Sequence, residues 1–148
     1  MTESVESIRT RPNRDRPAAY QLSFAERVVR AVISVHVLAI VAQPVFAGVY
    51  LSGDFDGLRW HAAGADVVTS LGYLQLIAAA VVWFRRRRSG LFFATLGVVA
   101  AETVQYLAGL DGALWLHLPL GVLTIAGIVV QFIAAWRWPT SISEGRDA

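Results

Sequence analysis

The stretch WLHLPLGVLTIAGIVVQFIAAWR, residues 115–137, decides the architecture. Before the closing Arg137 its only polar side chains are His117, Thr124 and Gln131. A helix rises about 1.5 Å per residue, so about 20 apolar residues cross a hydrocarbon core of about 30 Å. A helix of a soluble bundle carries a polar face at the 3.6-residue period, whereas this run is apolar nearly all round. Lipid offers backbone amides no partner, so such a run must satisfy them internally as a helix.

Three further runs of the same kind precede it, at about Arg27–Leu51, Trp60–Phe84 and Gly90–Leu110. The composition agrees: 55% of residues are hydrophobic and 16% charged, against roughly 45–50% and about 25% in ordinary soluble domains. The expected fold is all-α, a four-helix transmembrane up-and-down bundle. Residues 23–138 form that domain. Residues 1–22, Arg-rich and broken by Pro12 and Pro17, read as a disordered cytoplasmic arm, and residues 139–148 as a cytoplasmic tail. A cleaved signal peptide is not expected, because the first apolar run is too long and lies behind a long polar segment.

Orientation follows from charge. All 13 basic residues are Arg, and only Arg59 falls on the far side of the spans from the rest. Arg9, Arg11, Arg14, Arg16, Arg27 and Arg30 precede or open the first span, Arg85–Arg88 join the second to the third, and Arg137 and Arg146 follow the fourth. The positive-inside rule therefore places both termini in the cytoplasm of a cell whose plasma (inner) membrane holds the chain. Trp60 and Trp115 mark one interface, and Trp83, Trp136 and Trp138 the other. Anionic lipid is the natural contact of the arginines, and nothing supports nucleic-acid binding. The absence of Cys excludes disulfides, thiolate metal sites and covalent haem attachment.

The second and fourth spans share a spacing. His61 precedes Gln75 by fourteen residues, in Gln-Leu-Ile-Ala-Ala, and His117 precedes Gln131 by fourteen, in Gln-Phe-Ile-Ala-Ala. Polar residues are rare inside membranes, so a matched His and Gln weighs more than matched Leu or Ala. The pattern reads as a duplicated helix hairpin, with composition bias as the competing source. Both hairpins start on the same side, so a pseudo-two-fold axis along the membrane normal would relate them. His61 and His117 would then face each other at one depth, from helices two and four at diagonal corners of the bundle.

Two imidazoles so placed suit a metal between them, and small residues one turn further in (Gly64, Ala65 and Gly121) leave a surface a flat macrocycle can approach. The plainer reading has each His facing headgroups and each small residue serving close helix packing. Asp66 and Glu102 are costly inside a span, about 2.5–3.5 kcal/mol for Asp at the helix centre. With Gln105 they are candidates for orienting a ligating imidazole or passing a proton, against simple hydrogen bonding as protonated carboxyls. His36 reads as a residue hydrogen-bonded within the bundle, against the alternative of a ligand to a second cofactor, with Gln43 two turns further along the same face.

The residues Glu102-Thr103-Val104-Gln105-Tyr106-Leu107-Ala108-Gly109, followed by Leu114-Trp115-Leu116-His117, resemble the third and fourth helices of one half of the haem A synthase family. His61 falls where that half has its other histidine. More loosely, the chain is similar to four-helix b-type cytochromes. The resemblance implies haem b held by His61 and His117 near the outer face. Leu58 stands where the synthase family has an acidic residue, and the family has two such halves, so the resemblance implies haem binding rather than synthase activity.

Three functions follow as expectations. The first is electron transfer or haem handling through a bis-histidine haem b, with a quinone or redox protein as partner. The second is a non-enzymatic membrane scaffold or accessory subunit. The third is a small proton-linked carrier using Asp66 and Glu102.

Overall fold

A computed structural model describes residues 23–87 and 89–137. The expected arm (1–22) and tail (139–148), together with Arg88 and Trp138, lie outside the described residues. Four helices follow in order: α1 (Phe24–Leu51), α2 (Asp56–Arg86), α3 (Ser89–Leu110) and α4 (Leu114–Trp136). All four are long and apolar enough to cross a membrane. They pack as a closed ring, α1 on α2, α2 on α3, α3 on α4 and α4 on α1, and the two diagonal pairs meet only through side chains that reach across the centre. This is the up-and-down bundle expected from the sequence.

Helix ends differ from the hydropathy boundaries where local chemistry adds a turn. Ser23 caps α1: its hydroxyl accepts from the Glu26 amide, and the Glu26 side chain accepts from the Ser23 amide at 2.8 Å. That reciprocal pair starts the helix three residues before Arg27. At the other end of α1, Gly53 takes φ +98° and the Asp54 carboxylate accepts from the Asp56 amide at 3.0 Å. The turn thus shrinks to residues 52–55, and α2 runs 31 residues, about 46 Å at 1.5 Å each. Arg87 closes α2 in the left-handed region at φ 56°, with its amide on the Trp83 carbonyl. Gly112 at φ +71° makes the turn into α4.

The bundle is inside-out relative to a soluble one. Large apolar side chains such as Leu38, Val45, Phe84, Leu118, Val122 and Val130 point outward, where lipid would solvate them. The interior holds two small apolar clusters, Val29–Ala78–Val82 near the arginine-rich end and Ile40–Val68–Ile128 further along. Between and beyond these clusters sit His36, Gln43, Gln75, Thr95, Glu102, Thr124 and Gln131, all buried. Aromatic rings tie the arginine-rich end: Trp83 stacks on Phe92 with centroids 4.7 Å apart, and Arg30 lies 5.3 Å over the Trp136 ring.

Gly57 marks the tightest approach of α1 and α2. A β-carbon there would run into the Tyr50 amide and the Phe46 carbonyl, backbone atoms that cannot swing aside. Gly57→Ala is expected to cost about 1–3 kcal/mol by forcing the helices apart. Reversible unfolding in mixed detergent micelles measures it, with Gly48→Ala, where nothing lies within 4 Å, as the neutral reference.

Candidate functional site

Two groups of polar side chains occupy the bundle, and helices α1 and α3 supply a residue to each. The first lies at the end bearing the turns 52–55 and 111–113. His61, in the second turn of α2, places Nδ1 3.2 Å from the Gln43 carbonyl of α1. His117, in the first turn of α4, places Nδ1 2.9 Å from the Gln105 carbonyl of α3. A carbonyl only accepts, so in both rings Nδ1 carries a proton, and in the neutral tautomer this leaves the lone pair on Nε2. The ring centroids are 5.9 Å apart and the ring planes cross at 79°. Both side chains are half-buried.

The corresponding parts of the two hairpins therefore do the same thing. In each, the histidine that opens the second helix bonds back to a glutamine carbonyl on the first. The glutamine side chains also behave alike. The Gln43 amide lies where a β-carbon on Gly64 would stand, and the Gln105 amide lies 3.4 Å from the β-carbon position of Gly121. Part of the space opened by these glycines is thus occupied by glutamine, and Ala65 beside Gly64 is half-buried. Gln105 further accepts from the Thr124 hydroxyl at 2.9 Å. Gly109 makes room for His117: a β-carbon there would sit 2.9 Å from Nδ1.

The second group is a slanting chain across all four helices. Gln131 (α4) donates its amide to the Ala94 carbonyl of α3 at 3.1 Å, so its Oε1 must be the acceptor for both Thr95 Oγ1 at 3.0 Å and Gln75 Nε2 at 2.9 Å. With its nitrogen committed to Gln131, Gln75 (α2) turns Oε1 toward His36 Nδ1 at 3.0 Å. His36 Nδ1 is thereby the donor. One backbone carbonyl fixes every orientation along the chain, since amides and imidazoles have distinct donor and acceptor ends. At its far end, His36 Nε2 stands 3.1 Å from Glu102 Oε1 of α3.

Gln105 orients His117 through its main chain. Glu102 faces α1 and meets His36, and the orienting groups on both rings of the first cluster are main-chain carbonyls. Asp66 turns to the exposed outside of the α2–α3 pair, where the Tyr106 hydroxyl donates to its Oδ1 at 2.8 Å. His36 is hydrogen-bonded inside the bundle, as its sequence reading anticipates. Among the described residues, no three His, Asp or Glu side chains gather closely enough to hold a bare metal ion. Thr95, Thr124 and Gly72 escape sequence reasoning, because each is ordinary in a membrane helix until its neighbour is known. Gln75 and Gln131 were visible as a repeat, but not as partners of each other.

Gly109→Ala tests the orientation of the ring pair. The new methyl displaces the His117 ring, so Nδ1 loses the Gln105 carbonyl while His61 keeps its own bond. Imidazole ¹⁵N spectra are expected to show mixed tautomers at His117 and a single Nδ1–H form at His61.

No protein-family model, curated protein or solved structure matches this chain.

Proposed function

We propose that the chain is a membrane haem protein in which His61 and His117 hold one haem b by its two axial positions. The observation that carries this reading is the ring pair itself. Metal–imidazole bonds are about 2 Å long, so two rings bound to opposite sides of one metal have centroids roughly 6 Å apart; here the separation is 5.9 Å. Both Nδ1–H groups are spent on carbonyls, which is the usual way a ligating imidazole is oriented and made more basic. What remains free on each ring is the lone pair of Nε2. A planar macrocycle fills four coordination positions and leaves two, which a pair of histidines satisfies without a third ligand.

The fit depends on the glutamines as well as the rings. For a macrocycle to enter, the Gln43 and Gln105 amides would shift from Gly64 and Gly121, which their flexible side chains permit. With both axial positions filled by protein, such a haem supplies one-electron chemistry and offers no open position to a substrate. The chain's residues then have defined duties. His61 and His117 ligate, the Gln43 and Gln105 carbonyls hold the tautomers, and Gly109 gives His117 its place. Electron transfer or haem handling is the function this supports, with a quinone or a redox protein as the exchanging partner.

The arrangement of arginines supports a topology in which both termini lie in the cytoplasm and the ring pair lies toward the opposite face of the inner membrane. Single cysteines introduced at Ser52 and Gly112 are expected to react with a membrane-impermeant maleimide added to intact cells, and one at Gly90 only after lysis. The reverse pattern would invert the assignment.

Haem binding has a direct readout. Protein purified from haem-supplied cells is expected to be red, with a low-spin Soret band and a sharp α band on reduction. His61→Ala and His117→Ala each lose that spectrum, and His36→Gln keeps it. A stably folded wild-type protein that remains colourless would overturn the proposal.

A further inference from the structure

The pair at the far end of the buried chain belongs to neither ring, and its chemistry is unlike that of the first cluster. His36 is fully buried and Glu102 is 4% exposed. Although His36 Nε2 lies 3.1 Å from Glu102 Oε1, the two are out of line for a hydrogen bond. Neither Glu102 oxygen has a hydrogen-bond partner. Gly72 supplies the space for that carboxyl: a β-carbon on it would stand 2.5 Å from Oε2 and 3.5 Å from the His36 ring. A carboxyl group is thus lodged in a recess of the bundle core, with an imidazole nitrogen as its nearest polar neighbour.

Proton counting is forced by the chain of bonds described above. His36 Nδ1 is a donor to Gln75, so its proton is committed. Between Nε2 and the Glu102 carboxyl there is then room for none, one or two protons. With one, the pair is either neutral imidazole beside a protonated carboxyl or imidazolium beside carboxylate, and its net charge is zero in both forms. With none, a lone negative charge sits in the low-dielectric core, and with two a lone positive one, so the cost of these charges sets how firmly the single proton is held.

We infer that His36 and Glu102 form a binding site for a single exchangeable proton in the core of the bundle, separate from the His61–His117 pair and independent of any metal there. The bond that forms on uptake is N–H at His36 Nε2 or O–H at Glu102, and the same bond breaks on release to water. No electron or other group moves. No charged side chain of a neighbouring element is hydrogen-bonded to the pair among the described residues. From α2 come Gly72 and Gln75, both uncharged, while the buried polar side chains of α4, Gln131 and Thr124, are uncharged and bond to Gln75 and Gln105. Along α1, Arg30 and Glu26 lie toward the arginine-rich end, Glu26 engaged with Ser23. Asp66 of α2 is outside the bundle on Tyr106 of α3. His61 and His117 lie toward the opposite end. Gln105, one turn from Glu102 on α3, with Thr124 and His117 continues the polar lining from the recess to that end of the bundle.

The test uses the full chain in lipid bilayers, following the carboxyl C=O stretch by infrared difference spectroscopy and the imidazole ¹⁵N resonances of His36 from about pH 4 to about pH 10. The expected result is one step in which the Glu102 and His36 signals move together as one proton leaves. Glu102→Gln abolishes the step, and Gly72→Ala, which crowds the carboxyl, moves its midpoint while leaving the step in place. Two unconnected steps, or signals that never change across the range, would overturn the inference. The wild-type spectra decide this by themselves if a variant fails to fold. They do so equally in protein that carries no haem, so failure here and failure of the haem reading are separate outcomes.

Discussion

Buried polar side chains in a lipid-embedded bundle have only one another and the main-chain carbonyls of the helices to bond with, and this constraint organises the polar interior of these four helices. Backbone amides are satisfied along each helix, and lipid accepts the apolar side chains that point outward. What distinguishes one rotation of a helix from another is therefore where its few polar atoms go. Gln131 reaches the Ala94 carbonyl and Gln75, Gln75 reaches His36, and His36 faces Glu102. A rotation of any helix by a fraction of a turn would strand several of these groups at once, each at a cost of about 1–3 kcal/mol.

The same helices that carry this chain set the ring pair. On α1, His36 and Gln43 lie on one face seven residues apart; on α3, Glu102 and Gln105 lie one turn apart. Each helix thus contributes to the core chain, His36 from α1 and Thr95 and Glu102 from α3, and commits one carbonyl to a histidine at the end of the bundle. The ring pair needs no bond of its own to α1 or α3 side chains, because the register of those helices is already fixed further in. Orientation by main-chain carbonyls is also rigid: a carbonyl in a helix cannot rotate away as a carboxylate can.

The pairing of corresponding residues is consistent with an internal two-fold relation. His61 meets His117, and Gln75 bonds to Gln131. Contacts between equivalents are what a rotation axis through the bundle produces, because a residue on the axis-facing side meets its own counterpart. The symmetry breaks at His36 and Glu102. Val98 takes the position on α3 that lies as far before Gln105 as His36 lies before Gln43, and the carboxyl of α3 reaches across the bundle instead. A place where the two halves differ in chemistry is thus the place where an ionisable pair has been set into the core.

Much of this was legible in the sequence. Span number and length follow from hydropathy because the bilayer thickness is an external ruler, and the His–Gln spacing stands out because polar residues inside spans are few. The Ser23–Glu26 cap and the Asp54 bond to Asp56 escaped hydropathy, since both are polar and act within a single turn. The identity of each polar residue's partner was not legible. Nothing in the linear order says that Glu102 turns to His36 rather than to a ring at the end of the bundle, or that Asp66 turns to Tyr106. Helix composition is a property of the chain and is settled by transfer into lipid, residue by residue. Which polar atoms meet depends on the relative rotation and depth of four helices, and those are decided jointly, by the packing that leaves the fewest buried groups unpaired.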